Sequence, residues 1–314
     1  WAITEATWPV SREAPPARPR VVSVGALTAG GSGKTPVVLS LAEGLLARGY
    51  RTAIVSRGYG SGAAGPLIVD AADPSCGDEA RMLAGSLSGC TVVQARDMAA
   101  GLRMLRQRRP DTEIVVLEDG HQCAGAGRHL DVLILDRWRT VGRGLVPETG
   151  LRLPWGPYRE DATGAARAAV WLLSLREGEA SPAQPEGGPD MLGFVRRASL
   201  PGGVATPAEM PYGVVSGIAA PERFEADCAF LCGGEPAVIA RYDDHAAFSG
   251  GDVDDLLAVG AGAGARCWLT TAKDRVKLSP LWPLRAPQLH VVALELVWRS
   301  PSILVETVLS RLEA

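Results

Sequence analysis

No stretch of this 314-residue sequence approaches the roughly 20 consecutive apolar residues that span a bilayer as a helix, which argues against an integral membrane protein. Cysteine is sparse. The six residues, at 76, 90, 123, 228, 232 and 267, include no CxxC pair, so zinc-ribbon and dithiol redox chemistry are disfavoured. They read instead as small buried hydrophobes of a reducing compartment, with Cys228 and Cys232 spaced to share one helix face. Positive charge is not in excess either: 32 Lys and Arg face 35 Asp and Glu, a net charge of −3, so nucleic acid is not favoured as a partner. A membrane surface stays open, because a local apolar patch acts without net charge. Trp1–Arg20, rich in Pro, Arg and Glu, lacks the apolar core of a signal peptide and reads as an N-terminal extension. No internal repeat is visible.

What remains is an ordinary globular composition, 46% hydrophobic and 21% charged, in a chain long enough for two domains. Val21–Val24 is a β-branched run ending at Gly25. After a glycine-rich loop, Val38, Leu41, Leu45 and Leu46 fall on one side of a helix over Pro36–Ala47, stopped by Gly49. Arg51–Ser56 then reads as a strand, completing a βαβ unit. A helix at Asp78–Leu87, a strand at Cys90–Val93, a helix at Met98–Arg108 and strands at Ile114–Leu117 and Val132–Leu135 continue the alternation of a doubly wound parallel sheet. Glu177–Pro189 shifts to Glu, Pro, Gly and Ser and reads as an exposed loop. Beyond it, strands at Gly213–Val215, Ala237–Ala240, Cys267–Thr270 and His290–Val297, with helices at Val253–Gly260 and Pro301–Leu312, form a second α/β lobe. The expected domains are 21–165, a P-loop nucleotide-binding domain, and 166–314, the smaller second lobe.

Thr28-Ala-Gly-Gly-Ser-Gly-Lys-Thr35 carries the strongest chemistry, lying between a strand and a helix. Gly30, Gly31, Ser32 and Gly33 let backbone N–H groups converge on phosphate oxygens, helped by the positive end of the following helix. Lys34 then reaches the terminal phosphates of a nucleoside triphosphate, and the Thr35 hydroxyl ligates Mg²⁺. Glu118-Asp119-Gly120 ends the strand that begins at Ile114, where a carboxylate serves the metal and its neighbour orients substrate or water. Asp78, in Gly77-Asp78-Glu79, fits two roles equally: helix cap or functional acid. His245 in Asp243-Asp244-His245 is by default structural, though an acid–acid–His loop also suits a site facing phosphates. Two rival P-loop classes lose weight. One places a lysine ahead of the paired glycines, where Ala29 stands; the other reads guanine with a motif that Thr271-Ala-Lys-Asp274 does not match in spacing.

These segments, taken in order, resemble the tetraacyldisaccharide 4′-kinase family. The resemblance rests on Val24-Gly25 with the loop through Pro36, Ser56-Arg-Gly-Tyr-Gly60, Gly77-Asp-Glu79, Glu118-Asp-Gly-His-Gln122, Leu130–Asp136, Leu153-Pro-Trp-Gly-Pro-Tyr-Arg-Glu160, Ser216–Phe224, Asp244-His245 and Thr271–Asp274. It implies two α/β lobes with the active site between them, and transfer of the ATP γ-phosphate to the 4′-hydroxyl of a tetraacylated glucosamine disaccharide 1-phosphate in lipid A synthesis. The glycolipid acceptor would be met at the inner face of the cytoplasmic membrane. By the same resemblance Asp78 and His245 activate the sugar hydroxyl, Glu118 and Asp119 serve magnesium and substrate positioning, and Arg159 and Glu160 line the site. The chain departs from the family pattern at Glu118, where aspartate is usual, at His121 in place of phenylalanine, and at Cys123 in place of histidine. The reading from another class is a nucleotide-switched P-loop ATPase acting on a protein partner.

Overall fold

A computed structural model of the chain describes residues 18–313 apart from 60, 124, 142–143, 183, 185–186, 201–209, 219–220 and 245. In order, the elements are β1 (Arg20–Ala26), α1 (Lys34–Ala47), β2 (Thr52–Ser56), β3 (Leu67–Ile68), α2 (Asp78–Ser86), β4 (Thr91–Gln94), α3 (Met98–Arg108), β5 (Ile114–Glu118) and β6 (Leu130–Leu135). A hairpin, β7 (Trp138–Val141) and β8 (Gly144–Pro147), and a 3-10 turn at Ala162–Arg167 lead to β9 (Val170–Leu175) and β10 (Asp190–Ser199). Then come β11 (Tyr212–Ser216), α4 (Pro221–Cys232), β12 (Val238–Arg241), α5 (Gly250–Gly262), β13 (Cys267–Thr271), α6 (Ala272–Leu278), β14 (Gln288–Trp298) and α7 (Ile303–Glu313).

The chain forms two compact units, one running up to Arg196 and resuming at Leu296, the other Arg197–Glu295. Strand order in the first is β10-β9-β6-β1-β5-β2-β4-β3, parallel except for β3 against β4. From β1 the chain moves to one side to build β2 and β5, and only later to the other side to build β6. This reversal beside β1 opens a crevice at the carboxyl ends of the strands, where the loops after β1 and β5 emerge together. Register fixes the meeting point, since Val24 of β1 lies opposite Glu118 of β5.

Both sheet faces are covered, so the strands read as unbroken apolar runs instead of alternating ones. Val22 and Val24 pack with Val38, Leu41 and Leu45 of α1 and Leu83 of α2. The neighbouring Val21 turns to the other face, against Met98, Leu102 and Leu105 of α3. Helix α7 returns to the first face through Leu304, Val305 and Val308.

The second unit has strand order β12-β11-β13-β14, all parallel. Phe224, Cys228 and Cys232 of α4 cover one face, while Val253 and Leu256 of α5 and Leu278 of α6 pack with Trp268 on the other. Cys228 and Cys232 do share a helix face, and burial pushes the Cys228 thiol up, as suits inert core cysteines. The expected domain boundary at 165/166 does not coincide with this division. β9 and β10 extend the first unit's sheet in register with β6, and α7 belongs to that unit as well.

Candidate active site

The phosphate loop follows from its glycines. Gly30, Gly31 and Gly33 have φ of 72°, 55° and 87°, left-handed values that other residues avoid. Gly33 caps α1 without any side-chain bond, leaving the first-turn N–H groups turned toward the loop. Thr28 stands where a glycine is usual, and its hydroxyl donates to Asp136 Oδ1 at 2.9 Å, tying the loop's start to the end of β6.

Helix α1 and strand β5 bring the charged groups together. Thr35 Oγ1 donates to Glu118 Oε1 at 2.8 Å. Lys34 Nζ donates to Ser32 Oγ at 3.2 Å and lies 3.7 Å from Asp119 Oδ1. Arg159 reaches Asp119 Oδ2 at 2.8 Å from the other side. Asp119 has φ 60°, a left-handed conformation that aspartate tolerates better than most residues, and this turns the chain sharply after Glu118.

Glu118 is almost fully buried. Burial pushes its carboxyl up to about 7, and the negative charge of Glu79 adds to this. Hydrogen bonds from Ser56 and Thr35 pull the other way, and Asp119 raises it further. Glu79 lies in the first turn of α2, which also carries Asp78. Gly77 occupies the N-cap position, and Asp78 stands in the first turn of α2, where an acid also suits the positive end of the helix. A Cβ on Gly77 would lie 2.8 Å from Gly58 Cα, so only glycine lets this helix start approach the Ser56–Tyr59 turn so closely.

Glu118 Oε2 and Asp119 Oδ1 are buried oxygens without a hydrogen-bond partner. Together with the Thr35 hydroxyl they make a hard oxygen set of the kind magnesium prefers. Among the described residues no group of three or more His, Cys, Asp or Glu is arranged to hold a metal alone. An ion here would therefore complete its shell with phosphate oxygens and water.

Glu160, expected to line the site, accepts two hydrogen bonds from Arg167, at 2.7 and 2.8 Å, and one from Gln122 Nε2 at 2.7 Å. Its oxygens are thus directed at the protein's own donors. His121 is buried with Nε2 3.0 Å from the Gly164 carbonyl, 3.6 Å from Glu160 and with Nδ1 3.5 Å from Asp131. Burial alone would raise the Asp131 carboxyl, but His121 and Arg128 outweigh it and hold it below the usual carboxylate range. A polar ring therefore fits where the family pattern has phenylalanine. His245 lies outside the described residues. In the second unit, Thr271 caps α6, and the buried Asp274 accepts from Gly217 N at 2.9 Å, giving Thr271–Asp274 a structural task.

Two contributors had no visible signal in the sequence. Gln94 at the end of β4 accepts from Gly77 N at 2.7 Å and donates to Ser61 and Ala63, which holds the start of α2 against the turn after β2. Arg196 on β10 donates to the Gly31 carbonyl at 2.7 Å. Nothing in the spacing of either residue points to the loop it touches.

A phosphate loop between strand and helix, with a buried acid pair closing the adjacent parallel strand, defines an enzyme of the P-loop NTPase fold. The sequence pattern of the family described as Tetraacyldisaccharide-1-P 4'-kinase matches residues 8–313, and the chain belongs to that family of kinases. The tetraacyldisaccharide 4′-kinase of Maricaulis maris is 34% identical over 299 residues, covering 91% of this chain and 83% of that protein. That of Gluconacetobacter diazotrophicus is 38% identical over 292 residues, covering 90% and 82%. A crystal structure described as the "apo" form of LpxK from Aquifex aeolicus in complex with ATP superposes with a TM-score of 0.68 at 23% identity, covering 94% of this chain and 89% of that one. At that identity the superposition speaks for the fold.

Proposed function

We propose that this kinase transfers the γ-phosphoryl group of ATP to the 4′-hydroxyl of a tetraacylated glucosamine disaccharide 1-phosphate, a step of lipid A biosynthesis. The observation that carries the chemistry is the convergence of Lys34, Thr35, Glu118 and Asp119 at the ends of β1 and β5. The loop amides and Lys34 hold the phosphates and offset the charge that develops on the moving phosphoryl group. Thr35, Glu118 and Asp119 would hold magnesium, which when bound draws charge from the phosphate oxygens. Arg159 keeps Asp119 oriented. The 4′-oxygen attacks the γ-phosphorus, the bond to the β–γ bridging oxygen breaks, and ADP leaves with that electron pair. Asp78 accepts the hydroxyl proton, and His245 is assigned to the same proton transfer on the family resemblance.

The acceptor's acyl chains belong in a bilayer, so the enzyme works as a peripheral protein at the inner face of the cytoplasmic membrane. Leu151 and Trp155, 69% and 82% exposed, support this, since they lie on a loop whose base is bonded to the phosphate-loop segment at Ala29 and Leu27. The relatives compared carry the kinase name, and none favours a nucleotide switch acting on a protein partner. Purified protein incubated with labelled ATP, Mg²⁺ and the disaccharide 1-phosphate is expected to yield a labelled bisphosphate. ATP turnover unaffected by this acceptor and stimulated by a protein would overturn the proposal.

A further inference from the structure

The phosphate loop has a weakness that its glycines create. A glycine's peptide plane is poorly fixed by local sterics, and around Gly31 no heavy atom lies within 4 Å of where a Cβ would be. On that side, packing against the described residues does not hold the loop. A side chain from a distant strand reaches it. Arg196 of β10 donates through one terminal nitrogen to the Gly31 carbonyl at 2.7 Å. The opposite edge of the same guanidinium donates from Nε and the other terminal nitrogen to Ser174 Oγ of β9, at 3.2 and 3.1 Å. The rigid fork is thus anchored on the sheet while its free end grips the loop. Its Cδ and gripping nitrogen also stand 3.8 Å from the Cβ position of Gly33.

We infer that Arg196 is a positioning residue for the nucleotide: by fixing the Gly31 carbonyl it aims the Ser32 N–H into the phosphate cradle. The peptide bond is planar and trans, so the carbonyl of Gly31 and the N–H of Ser32 point in opposite directions. Holding the carbonyl toward Arg196 turns that N–H away from it, to the side of a polyphosphate. The cationic fork also adds positive potential beside the loop. The inference rests on the reading that residues 30–35 bind nucleotide phosphates.

The test compares Arg196→Met, which keeps the aliphatic stem and removes the fork, with Arg196→Lys and Ser174→Ala, using Lys34→Ala as the reference. ATP and ADP affinities are measured by calorimetry, KM values for ATP and for the glycolipid acceptor by steady-state kinetics, and folding by thermal melts. Arg196→Met is expected to weaken ATP and ADP about tenfold, the scale of one charge-assisted hydrogen bond, while leaving the acceptor KM within about twofold. Arg196→Lys should recover part of the loss, because a single donor still reaches the carbonyl. Ser174→Ala should fall between parent and Arg196→Met. If Lys34→Ala weakens nucleotide and Arg196→Met does not, Arg196 has no positioning role and the loop reading stands. If neither variant alters nucleotide affinity, the loop reading itself is wrong. Equal rises in both KM values with a lowered melting temperature would mark Arg196 as a general brace and overturn the inference.

Discussion

Asp119 is held between two cations, Lys34 at 3.7 Å and Arg159 at 2.8 Å, in a left-handed conformation. Asparagine tolerates that conformation too, so Asp119→Asn removes charge and leaves the backbone in place. Activity is expected to fall by roughly 10²-fold or more and the magnesium requirement to rise, because an amide is a poorer ligand for a hard cation. The same change leaves two partly buried cations facing each other and is expected to cost about 1–3 kcal/mol of stability in a denaturant titration. Unchanged magnesium dependence would remove Asp119 from the metal's surroundings. Lys34→Ala is expected to lower phosphoryl transfer by about 10²–10³-fold, measured in single-turnover assays. Lys34, Thr35, Glu118 and Asp119 were legible as a group because a phosphate loop and a strand-terminal acid are local patterns. Only the family motif points to Glu160, and its bonds to Arg167 and Gln122 depend on a fold that no local spacing announces.

At the level of elements, the first turn of α2 and the end of β5 set one pH-dependent group. The Glu118 carboxyl stands at about 7 in the folded protein against an ordinary 4.5, chiefly through burial and then through Glu79. Between those values the native state holds a proton that the unfolded chain has released. Its contribution to stability is therefore complete below about 4.5 and is lost as pH rises to about 7. Thermal melts without metal should show this loss, and Glu118→Gln should remove it. Magnesium needs the carboxylate, so its affinity should weaken as pH falls below about 7. A pH-independent difference between the parent and Glu118→Gln would show that Glu118 does not titrate in this window.

The same helix start carries Asp78. If Asp78 and His245 serve one proton transfer, Asp78→Asn and His245→Ala should each reduce turnover heavily, and the double variant should be little worse than the poorer single one. Additive losses in kcat would separate the two roles. Elements of this first βαβα stretch were readable because strongly periodic helices such as Met98–Arg108 sit between short strands with β-branched apolar centres. β9, β10, α4 and α6 were not. β10 is half-exposed along most of its length and mixes Arg and Ser with apolar residues, and α6 has only seven residues, too few to show a helical period.

For the molecule as a whole, the question is how a protein with a net charge of −3 and no described helix long and apolar enough to cross a membrane meets a lipid acceptor. That charge disfavours global electrostatic attraction to anionic lipid and favours a local contact. On the proposed membrane reading, the tight loop carrying Leu151 and Trp155 supplies it. Gly156 N and Trp155 N both donate to the Arg152 carbonyl, at 3.0 and 2.9 Å, and a Cβ on Gly156 would lie 2.6 Å from the Leu151 Cβ, so the two exposed apolar side chains flank one narrow turn. At its base, Ala29 N donates to Pro157 O and Arg159 N to Leu27 O, both at 2.7 Å, so the loop is tied directly to the segment that leads into the phosphate loop. Burying a leucine and a tryptophan in the interface is worth roughly 1.5–3 kcal/mol each at most. Leu151→Ser with Trp155→Ser is therefore expected to weaken sedimentation with phosphatidylethanolamine–phosphatidylglycerol vesicles by at least about tenfold. Turnover of detergent-dispersed acceptor should stay near that of the parent, since neither side chain belongs to the phosphate or metal cradle. Parent binding should also persist in high salt, because apolar contact is not screened. Vesicle binding that vanishes with salt, or that survives the double substitution intact, would assign membrane contact to another surface and leave the kinase chemistry untouched.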